Sequence, residues 1–481
     1  MSSLLVIDVG TSSVRAAIVR PDATVEHVCH TVTLPDTPAP GLVEFDAVTL
    51  AAAAIDCARR ALDDGGPVAA VGITNQRAST VVWDRATGRP AGPALGWQDL
   101  RTVGDCLVLQ AEGIRLAPNL SATKARYLLD AADPERTGDW CVGTIDSWLV
   151  WQLTEGQVHV TDATNAALTG LTDRSCEQWD QSLLDSLRIP AGALPAIVDS
   201  SGAVGNATLL PGAPLIAGLV GDQQGSLLGQ ACIAPGTAKI TFGTGGMLDT
   251  VAGAERPAFD QRGGSGCFPI VAHRLGGTTT WGVEGAMLSA GTNVEWLRDD
   301  LGLIPTSAAS HDVAASVPDS GGAWYVPALL GLGTPQWDYG ARGTLLGITR
   351  GTTKAHVVRA VLEGVAHRGA DLVEAAEADG GHPIATIRVD GGMSANPTFV
   401  QALADAANRP VEVSPIAEAT TLGAAYLAGL VAGTWSSLDD AARTWNPSRV
   451  VEPAATADRD RWHEAVRRAG GWVPELSALD F

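Results

Sequence analysis

The chain contains the same short pattern twice, and this repeat is its strongest constraint on the fold. An apolar run ends in a tight turn of Gly with Thr or Ser, and another apolar run follows, at Leu4–Arg15 and at Ala238–Leu248. Apolar runs bounded in this way are typical of paired strands. Each turn alone is an ordinary turn, but two that face each other would offer backbone N–H groups and hydroxyls to phosphate groups. We therefore expect two related domains, residues 1–227 and 228–481, with a phosphate-binding cleft between them.

Strand-like runs alternate with amphipathic helical stretches through the rest of the chain. The predicted strands are Leu4–Ile7, Val68–Ile73, Leu215–Val220 and Ile387–Val389. The predicted helices are Thr49–Leu62, His356–Ala378, Pro397–Ala407 and the charged Asp458–Ala469. Alternation of this kind predicts an α/β fold whose sheets are largely buried.

The charge of the chain argues against a polyanionic partner. Its 481 residues include 32 Lys and Arg and 53 Asp and Glu, a net charge of −21, and such a field repels nucleic acid. No apolar stretch approaches the roughly 20 residues of a membrane span, and the short apolar run Leu4–Ile7, with no basic residue before it, leads us to expect no secretory leader. The seven cysteines are scattered, with neither a Cys-x-x-Cys pair nor the spacing of a zinc site. We expect a soluble cytoplasmic protein that binds neither nucleic acid nor membranes, and a homodimer is left open.

Asp222 stands where an apolar run, residues 215–221, gives way to a turn and a helix. Asp is a favoured helix N-cap, which is the simpler interpretation. The alternative is a general base, because α/β proteins bind their ligands at the carboxyl ends of strands and a carboxylate there can accept a hydroxyl proton.

A second strand end, Val389–Asn396, carries Asp390-Gly-Gly392 before a helix. Two glycines at this point would let the backbone approach a flat ligand closely, and the helix N-terminus would add donors. The simpler interpretation is a loop in which Asn396 or Ser394 caps the helix.

Several short motifs occur in a fixed order along the chain. They are Asp8-Val-Gly-Thr-Ser-Ser-Val-Arg15, Gly72-Ile-Thr-Asn-Gln-Arg77, Trp97-Gln-Asp99, Gly143-Thr-Ile-Asp-Ser-Trp148, Gly221-Asp-Gln-Gln224, Phe242-Gly-Thr-Gly245 and Asp390-Gly-Gly392. A longer signature joins Gly343–Ile348 to His356–Glu363 across seven residues. This ordered set closely resembles the FGGY carbohydrate kinases, and within them the glycerol kinase branch, from residue 8 to about residue 435.

The resemblance implies two actin-like (ribonuclease H-like) domains and ATP-dependent phosphorylation of a hydroxyl of a small polyol or sugar. Residues 1–227 would carry the substrate and the first phosphate loop, and residues 228–481 the second phosphate loop and the adenosine site. Asp222 would be the catalytic base, and Asp8 would lie beside Mg²⁺. The residues implied for ATP are Thr11, Ser12, Ser13, Arg15, Thr244, Gly291, Glu295, Gly392 and Asn396. Those implied for the substrate are Arg77, Ala78, Trp97, Asn119, Asp222, Gln223 and Met247.

Three substrate positions depart from the glycerol kinase pattern. Glycerol kinases have Glu at the position of Ala78, Tyr at that of Asn119 and an aromatic residue at that of Met247. Near the nucleotide, Glu295 stands where Gln is usual. The retained residues are Arg77, Trp97, Asp222 and Gln223. The departures favour a kinase with a different or wider substrate, and the alternative is a true glycerol kinase in which other groups compensate for the altered pocket.

Two other classes of protein share part of this pattern. An actin-like or chaperone-like ATPase without a sugar substrate would have the paired phosphate loops, but the complete signature at 343–363 weighs against it. A binding protein without catalysis is the second alternative, and the retained Asp8 and Asp222 weigh against it.

Overall fold

A computed structural model describes residues 2–416 and 419–480. The strands up to residue 229 are β1 (Leu4–Val9), β2 (Ser13–Val19), β3 (Val25–Val32), β4 (Glu44–Phe45), β5 (Ala70–Asn75), β6 (Val81–Asp84), β7 (Ala94–Leu95), β8 (Trp140–Gly143), β9 (Val160–Asp162), β10 (Ala196–Val198), β11 (Ser201–Asn206) and β12 (Leu215–Gly221). The helices of this part are α1 (Ala47–Gly65), α2 (Val103–Ala111), α3 (Ser121–Ala132), α4 (Ile145–Leu153), α5 (Ala163–Ala167), α6 (Gln181–Leu187) and α7 (Asp222–Gly229).

The rest of the chain has the same mixture of strands and helices. Its strands are β13 (Thr237–Phe242), β14 (Gly246–Gly253), β15 (Phe268–Leu275), β16 (Thr278–Met287), β17 (Trp324–Val326), β18 (Thr344–Leu346), β19 (Thr386–Asp390), β20 (Val411–Val413) and β21 (Arg449–Val451). Its helices are α8 (Gly291–Asp299), α9 (Ala309–Ala315), α10 (Lys354–Gly380), α11 (Pro397–Ala407), α12 (Ala419–Ala432), α13 (Leu438–Ala442), α14 (Arg459–Ala469) and α15 (Pro474–Ser477). The predicted α/β class is confirmed.

Each predicted repeat is an antiparallel hairpin inside a larger mixed sheet. The first sheet has the strand order β11-β12-β5-β1-β2-β3, and the second has the order β15-β16-β14-β13-β19-β20-β21. In the first sheet β1 pairs antiparallel with β2 and parallel with β5; in the second, β13 pairs antiparallel with β14 and parallel with β19. The two halves therefore repeat the same local topology around their Gly-Thr turns.

Helices α7 and α12 pack closely against each other beside the first sheet. Gly225 and Gly423 meet at the crossing, where a Cβ on Gly423 would collide with the backbone carbonyl of Gly225. Although α12 lies between β20 and β21 of the second sheet in sequence, its apolar side chains share a core with Leu4, Val6 and Val220 of the first sheet. The chain therefore returns to its first half after residue 418, and the predicted division at residue 227 stays a prediction.

The predicted elements match the observed ones closely, with one shift. The helix predicted at Pro397–Ala407 has those bounds, and Asp458 caps α14 through its side chain. The strand predicted at Val68–Ile73 instead spans Ala70–Asn75. The reason is its pairing, because β1 begins at Leu4 and holds Ala70 opposite that residue.

Candidate active site

Two of the predicted carboxylates lie at the carboxyl edge of the first sheet. Thr74 of β5 pairs with Asp8 of β1 on one side and with Val220 of β12 on the other. Asp222 comes two residues after Val220, so it lies just beyond the end of β12, near the level of Asp8. Two strand spacings of about 4.8 Å place the ends of β1 and β12 roughly 10 Å apart. This is the edge at which α/β sheets bind ligands.

Asp222 is the first residue of α7, and Gly221 is its N-cap. The N-cap interpretation of Asp222 is therefore wrong, because the helix begins one residue earlier than that interpretation requires. Its Oδ1 accepts a hydrogen bond from its neighbour's N–H, that of Gln223, at 2.8 Å, and its side chain is 28% exposed. Burial raises the pKa of Asp222, against the opposing charge of Arg77. A carboxylate with a raised pKa is a better proton acceptor.

Arg77 lies between carboxylates from the two halves of the chain. Its Nε is 3.4 Å from Asp222 Oδ1, and its Nη1 is 2.7 Å from Oε2 of Glu284 on β16. The same Nη1 donates to Gln224 Oε1 at 3.2 Å. These contacts hold the guanidinium from both sides, beside the candidate base. Glu284 is a residue that the sequence motifs do not point to.

A buried ion pair lies next to Glu284 in the second sheet. Lys239 of β13 and Asp249 of β14 are both fully buried, with Nζ and Oδ2 2.7 Å apart. Asp249 is opposite Glu284 in the β14–β16 pairing. Burial, together with the charge of Asp249, raises the pKa of Glu284 to about 7, although Arg77 lowers it. Lys239 also donates to Gln223 Oε1, which joins this pair to a predicted substrate residue.

The sequence does carry a signal for these residues. Lys239, Asp249 and Glu284 interrupt apolar strands, and a charge in a buried strand requires a partner. Which charge pairs with which could not be read from the motifs, because the partners come from strands far apart in sequence.

The predicted substrate residues of the first half are linked to the first phosphate turn. Trp97 Nε1 donates to Thr11 Oγ1 at 3.1 Å, and Asn119 Nδ2 donates to the carbonyl of Trp97 at 3.1 Å. Lys124 Nζ donates to the carbonyl of Asn119 at 3.0 Å. Burial lowers the pKa of Lys124 to about 7. The two segments that carry Trp97 and Asn119 are thus joined by hydrogen bonds, which the spacing of the motifs did not predict.

The other two altered positions differ in their surroundings. Ala78 is 5% exposed and has a positive φ of 59°, a conformation that is uncommon outside glycine. Met247 is half-buried on β14. It lies two residues before Asp249 and so on the same face of that strand. Their predicted contact with substrate stays a prediction.

The first predicted phosphate loop is a tight turn between β1 and β2. The N–H of Gly10 donates to the carbonyl of Ser13 at 2.9 Å, and Thr11 and Ser12 form the tip of the turn. Arg15 Nη1 lies 3.7 Å from Asp8 Oδ2, which places the predicted phosphate ligand Arg15 beside the predicted metal ligand.

The second phosphate loop, with the exposed Thr244 at its tip, is packed against the start of α8. The N–H of Ala290 donates to the carbonyl of Thr244, and that of Gly291 to the carbonyl of Gly243, both at 2.9 Å. A Cβ on Gly291 would lie 2.6 Å from the Gly243 carbonyl oxygen, so this close approach requires glycine. Glu295, one turn further along α8, is exposed.

The last predicted nucleotide residues lie after β19. Gly391 has a φ of 83°, and a Cβ on Gly392 would meet no atom within 4 Å, so bare backbone faces open space there. Asn396 caps α11 by accepting from the N–H of Phe399 at 3.2 Å, and its Nδ2 donates to Ser310 Oγ at 2.9 Å. The capping interpretation of Asn396 is confirmed, and its predicted contact with the nucleotide stays a prediction.

The described residues fit a nucleotide and a hydrated magnesium ion. The two Gly-Thr turns and the open backbone at Gly392 suit phosphates and a flat base. Asp390 Oδ1 is buried and has no hydrogen-bond partner in the described part of the chain. Asp8 and Asp390 carry carboxylate oxygens, the type of ligand that Mg²⁺ prefers, commonly with several waters retained.

Comparison with known proteins agrees with this architecture. Residues 3–229 match the N-terminal domain of the FGGY family of carbohydrate kinases, and residues 238–432 match its C-terminal domain. Glycerol kinases from Aromatoleum aromaticum and Trichlorobacter lovleyi are 45% and 44% identical to the chain; each alignment covers 98% of this chain and all of the relative. The structure of Plasmodium falciparum glycerol kinase with ADP superposes with a TM-score of 0.89 at 28% identity, covering 100% of this chain and 99% of that one.

The chain therefore belongs to the FGGY family of carbohydrate kinases. It is a phosphotransferase that uses ATP and Mg²⁺ to phosphorylate a hydroxyl of a small polyol or sugar. The predicted family, fold, activity and cofactors are confirmed. No helix in the described ranges combines the length and the apolar character needed to cross a bilayer.

Proposed function

We propose that the preferred substrate is a polyol or related sugar longer than glycerol. The observation that carries this proposal is the contrast at the site: Arg77 and Asp222 are retained and in contact, while three glycerol-binding side chains are replaced. Arg77 and Asp222 would act on the reacting hydroxyl, and they are retained. The replaced side chains would bind the rest of the substrate, so the same reaction on a different substrate is favoured.

In the proposed reaction Asp222 accepts the proton of the hydroxyl that attacks the γ-phosphorus. Its raised pKa suits this role, and Arg77 holds the substrate beside it. The Gly-Thr turns at Thr11 and Thr244 bind the phosphate chain through N–H groups and hydroxyls, which positions it for in-line transfer. Bound Mg²⁺ supplies charge neutralisation for the phosphates, with Asp8 as its proposed ligand.

The altered side chains favour a longer substrate by their size and chemistry. Ala78 has no counterpart to the Glu carboxylate that would accept a glycerol hydroxyl, and such a charged hydrogen bond contributes about 1.5–3 kcal/mol. Asn119 is shorter than Tyr and exposed, so its amide can bind the hydroxyl of one further CHOH unit. Met247 is flexible where a fixed ring is usual, which accommodates more ligand shapes.

Glycerol is the second candidate substrate, and the names of the relatives favour it. The two relatives above are named glycerol kinase and align over their whole length. Glycerol kinases bind glycerol hydroxyls with a Glu and a Tyr at the positions of Ala78 and Asn119. For glycerol to be preferred here, neighbouring side chains or ordered water would have to bind those hydroxyls instead.

The experiment is a screen for ADP release across three- to six-carbon polyols and ketoses, with ATP alone as the blank. We expect turnover that depends on the added substrate and is fastest, in kcat/KM, with a four- or five-carbon compound. A preference for glycerol would reject the longer substrate. Equal ATP hydrolysis in every well would indicate an ATPase without a sugar substrate.

A cytoplasmic location and a homodimer complete the proposal. The location follows from the need for ATP, and fractionation of cells tests it. Light scattering of the purified protein measures the mass of the assembly. A mass of 49.5 kDa, that of one chain, would exclude the dimer.

A further inference from the structure

Two cysteines of the first half lie side by side on neighbouring elements. Cys29 is on β3 and Cys57 is on α1, and their sulfur atoms are 2.8 Å apart. A disulfide bond is about 2.05 Å long, so a small change in side-chain torsion would bring the sulfurs to bonding distance. Neither cysteine belongs to the kinase site.

The packing of α1 against β3 holds this pair in place. Cys57 is wholly buried, among the helix residues Ala54, Ala58 and Ala61. Thr31 lies two residues after Cys29, on the same face of β3, and its Oγ1 is 3.2 Å from Cys57 Sγ. Cys29 and Thr31 of β3 thus both contact the sulfur of Cys57, and these contacts fix the position of β3 along α1.

The two sulfurs differ in access to solvent. Cys29 is half-buried on the edge strand of the sheet, whereas Cys57 is fully buried. Arg60 Nη2 donates a hydrogen bond to Cys57 Sγ at 3.6 Å. A reagent from solution would therefore meet Cys29 first, with Cys57 placed to react second.

We propose that Cys29 and Cys57 form a reversible intrachain disulfide when the protein meets a low-molecular-weight disulfide such as glutathione disulfide. The Cys29 thiol loses its proton, and its sulfur attacks one glutathione sulfur, so that the S–S bond of the reagent breaks and one glutathione leaves. Cys57 then loses its proton and attacks the Cys29 sulfur, and the second glutathione leaves. Two protein thiols are oxidised by two electrons, and one glutathione disulfide is reduced to two glutathiones.

The crosslink would fasten the edge of the sheet beside the first phosphate turn. Val32 of β3 is opposite Ser13, and the N–H of Thr33 donates to the carbonyl of Ser12 at 2.9 Å. Edge strands open locally at low cost in free energy, and a crosslink to a buried helix opposes that opening. Because the sulfurs are already adjacent, we expect the oxidised protein to keep its kinase activity and to melt at a higher temperature.

The rate of exchange is expected to be low at neutral pH. Burial and the neighbouring Cys57 raise the pKa of the Cys29 thiol, so little thiolate is present to attack. Incubation with the reagent should therefore continue for hours before the products are analysed.

The test incubates the full-length reduced protein with a roughly tenfold excess of glutathione disulfide over glutathione, followed by alkylation and peptide mass mapping. We expect a Cys29–Cys57 linked peptide that dithiothreitol removes, and a Tm raised by several degrees. Cys176→Ser, at another half-buried cysteine, should form the same linked peptide, whereas Cys29→Ser should not. Glutathione retained on Cys29 with Cys57 free in the wild type would overturn the proposal, as would a linked protein that has lost its activity or melts no higher.

Discussion

Arg77 Nη1 lies 2.7 Å from Glu284 Oε2, so one ion pair joins the turn after β5 in the first half to β16 in the second. Both side chains are largely buried, and Arg77 Nε also faces Asp222 at 3.4 Å. A guanidinium held by one carboxylate from each half keeps its position only while the two halves stay together. The position of Arg77, the proposed substrate-binding cation, therefore depends on both halves of the chain.

Replacing Glu284 with Gln should weaken substrate binding more than it slows phosphoryl transfer. The variant keeps the shape of the side chain but removes the charge that pairs with Arg77 Nη1 at 2.7 Å, and a contact with a charged group contributes about 1.5–3 kcal/mol. We expect KM for the polyol to rise about tenfold to a hundredfold, with a smaller change in kcat. Steady-state kinetics at saturating ATP measures both.

The matched control for this variant is Glu363→Gln. Glu363 forms an ion pair of the same 2.7 Å length with Arg359 on α10, outside the site, so its removal should leave KM unchanged. A Glu284→Gln enzyme with the wild-type KM would show that Glu284 does not position Arg77.

The affinity for substrate should depend on pH through Glu284. Burial raises its pKa to about 7, above its ordinary value of 4.5. Above that pH the carboxylate is charged and holds Arg77, so KM should fall as the pH rises from 6 to 8. Glu284→Gln cannot titrate, and its KM should lack this step; a step of equal size in the variant would assign it to another group.

The stability contributed by this group has the opposite dependence on pH. Because the folded-state pKa of Glu284 is raised, the folded protein retains a proton that the unfolded chain releases between pH 4.5 and about 7. Its favourable contribution is present below pH 4.5 and is lost as the pH rises through 7. Denaturant unfolding at several pH values should show a difference between wild type and Glu284→Gln that changes across this window; a constant difference would contradict the assignment.

Asp222→Asn should remove the proton acceptor while leaving the nucleotide site intact. Loss of a general base costs about a hundredfold or more in kcat, and we expect that loss with ATP affinity retained. Single-turnover phosphorylation and ATP titration by calorimetry separate the two effects. Turnover near the wild-type rate would exclude Asp222 as the base.

Gly423→Ala should destabilise the protein, because its Cβ would enter the carbonyl of Gly225 where α7 and α12 cross. Overpacking of this kind costs about 1–3 kcal/mol. The control is Gly104→Ala in α2, where a Cβ meets nothing within 4 Å and where Ala is the better helix former by about 1 kcal/mol. Denaturant unfolding compares the two, and equal stability of the two variants would mean that the crossing has room for a methyl group.

The helices and strands could be predicted from local sequence patterns. The contacts between the two halves could not, because such patterns hold no information on which distant residues meet. Helix α11 is bounded by its Asn396 cap and Pro397, so its bounds could be predicted from neighbouring residues. The ends of β5 depend on its pairing with β1. The Arg77–Glu284 contact joins residues that are distant in sequence, and the motifs could identify Arg77 but not its partner.

The proposed kinase keeps its catalytic groups and prefers a substrate longer than glycerol. The most direct test is the ratio of kcat/KM for glycerol to that for a five-carbon polyol, in wild type, in Ala78→Glu and in the control Ala86→Glu at an exposed position. Because Ala78 and Asn119 replace two side chains that bind glycerol hydroxyls, we predict that glycerol is weaker by roughly two to four orders of magnitude in wild type. Ala78→Glu should move the ratio toward glycerol, and Ala86→Glu should not. A wild-type ratio that already favours glycerol would contradict the proposed preference for a longer substrate.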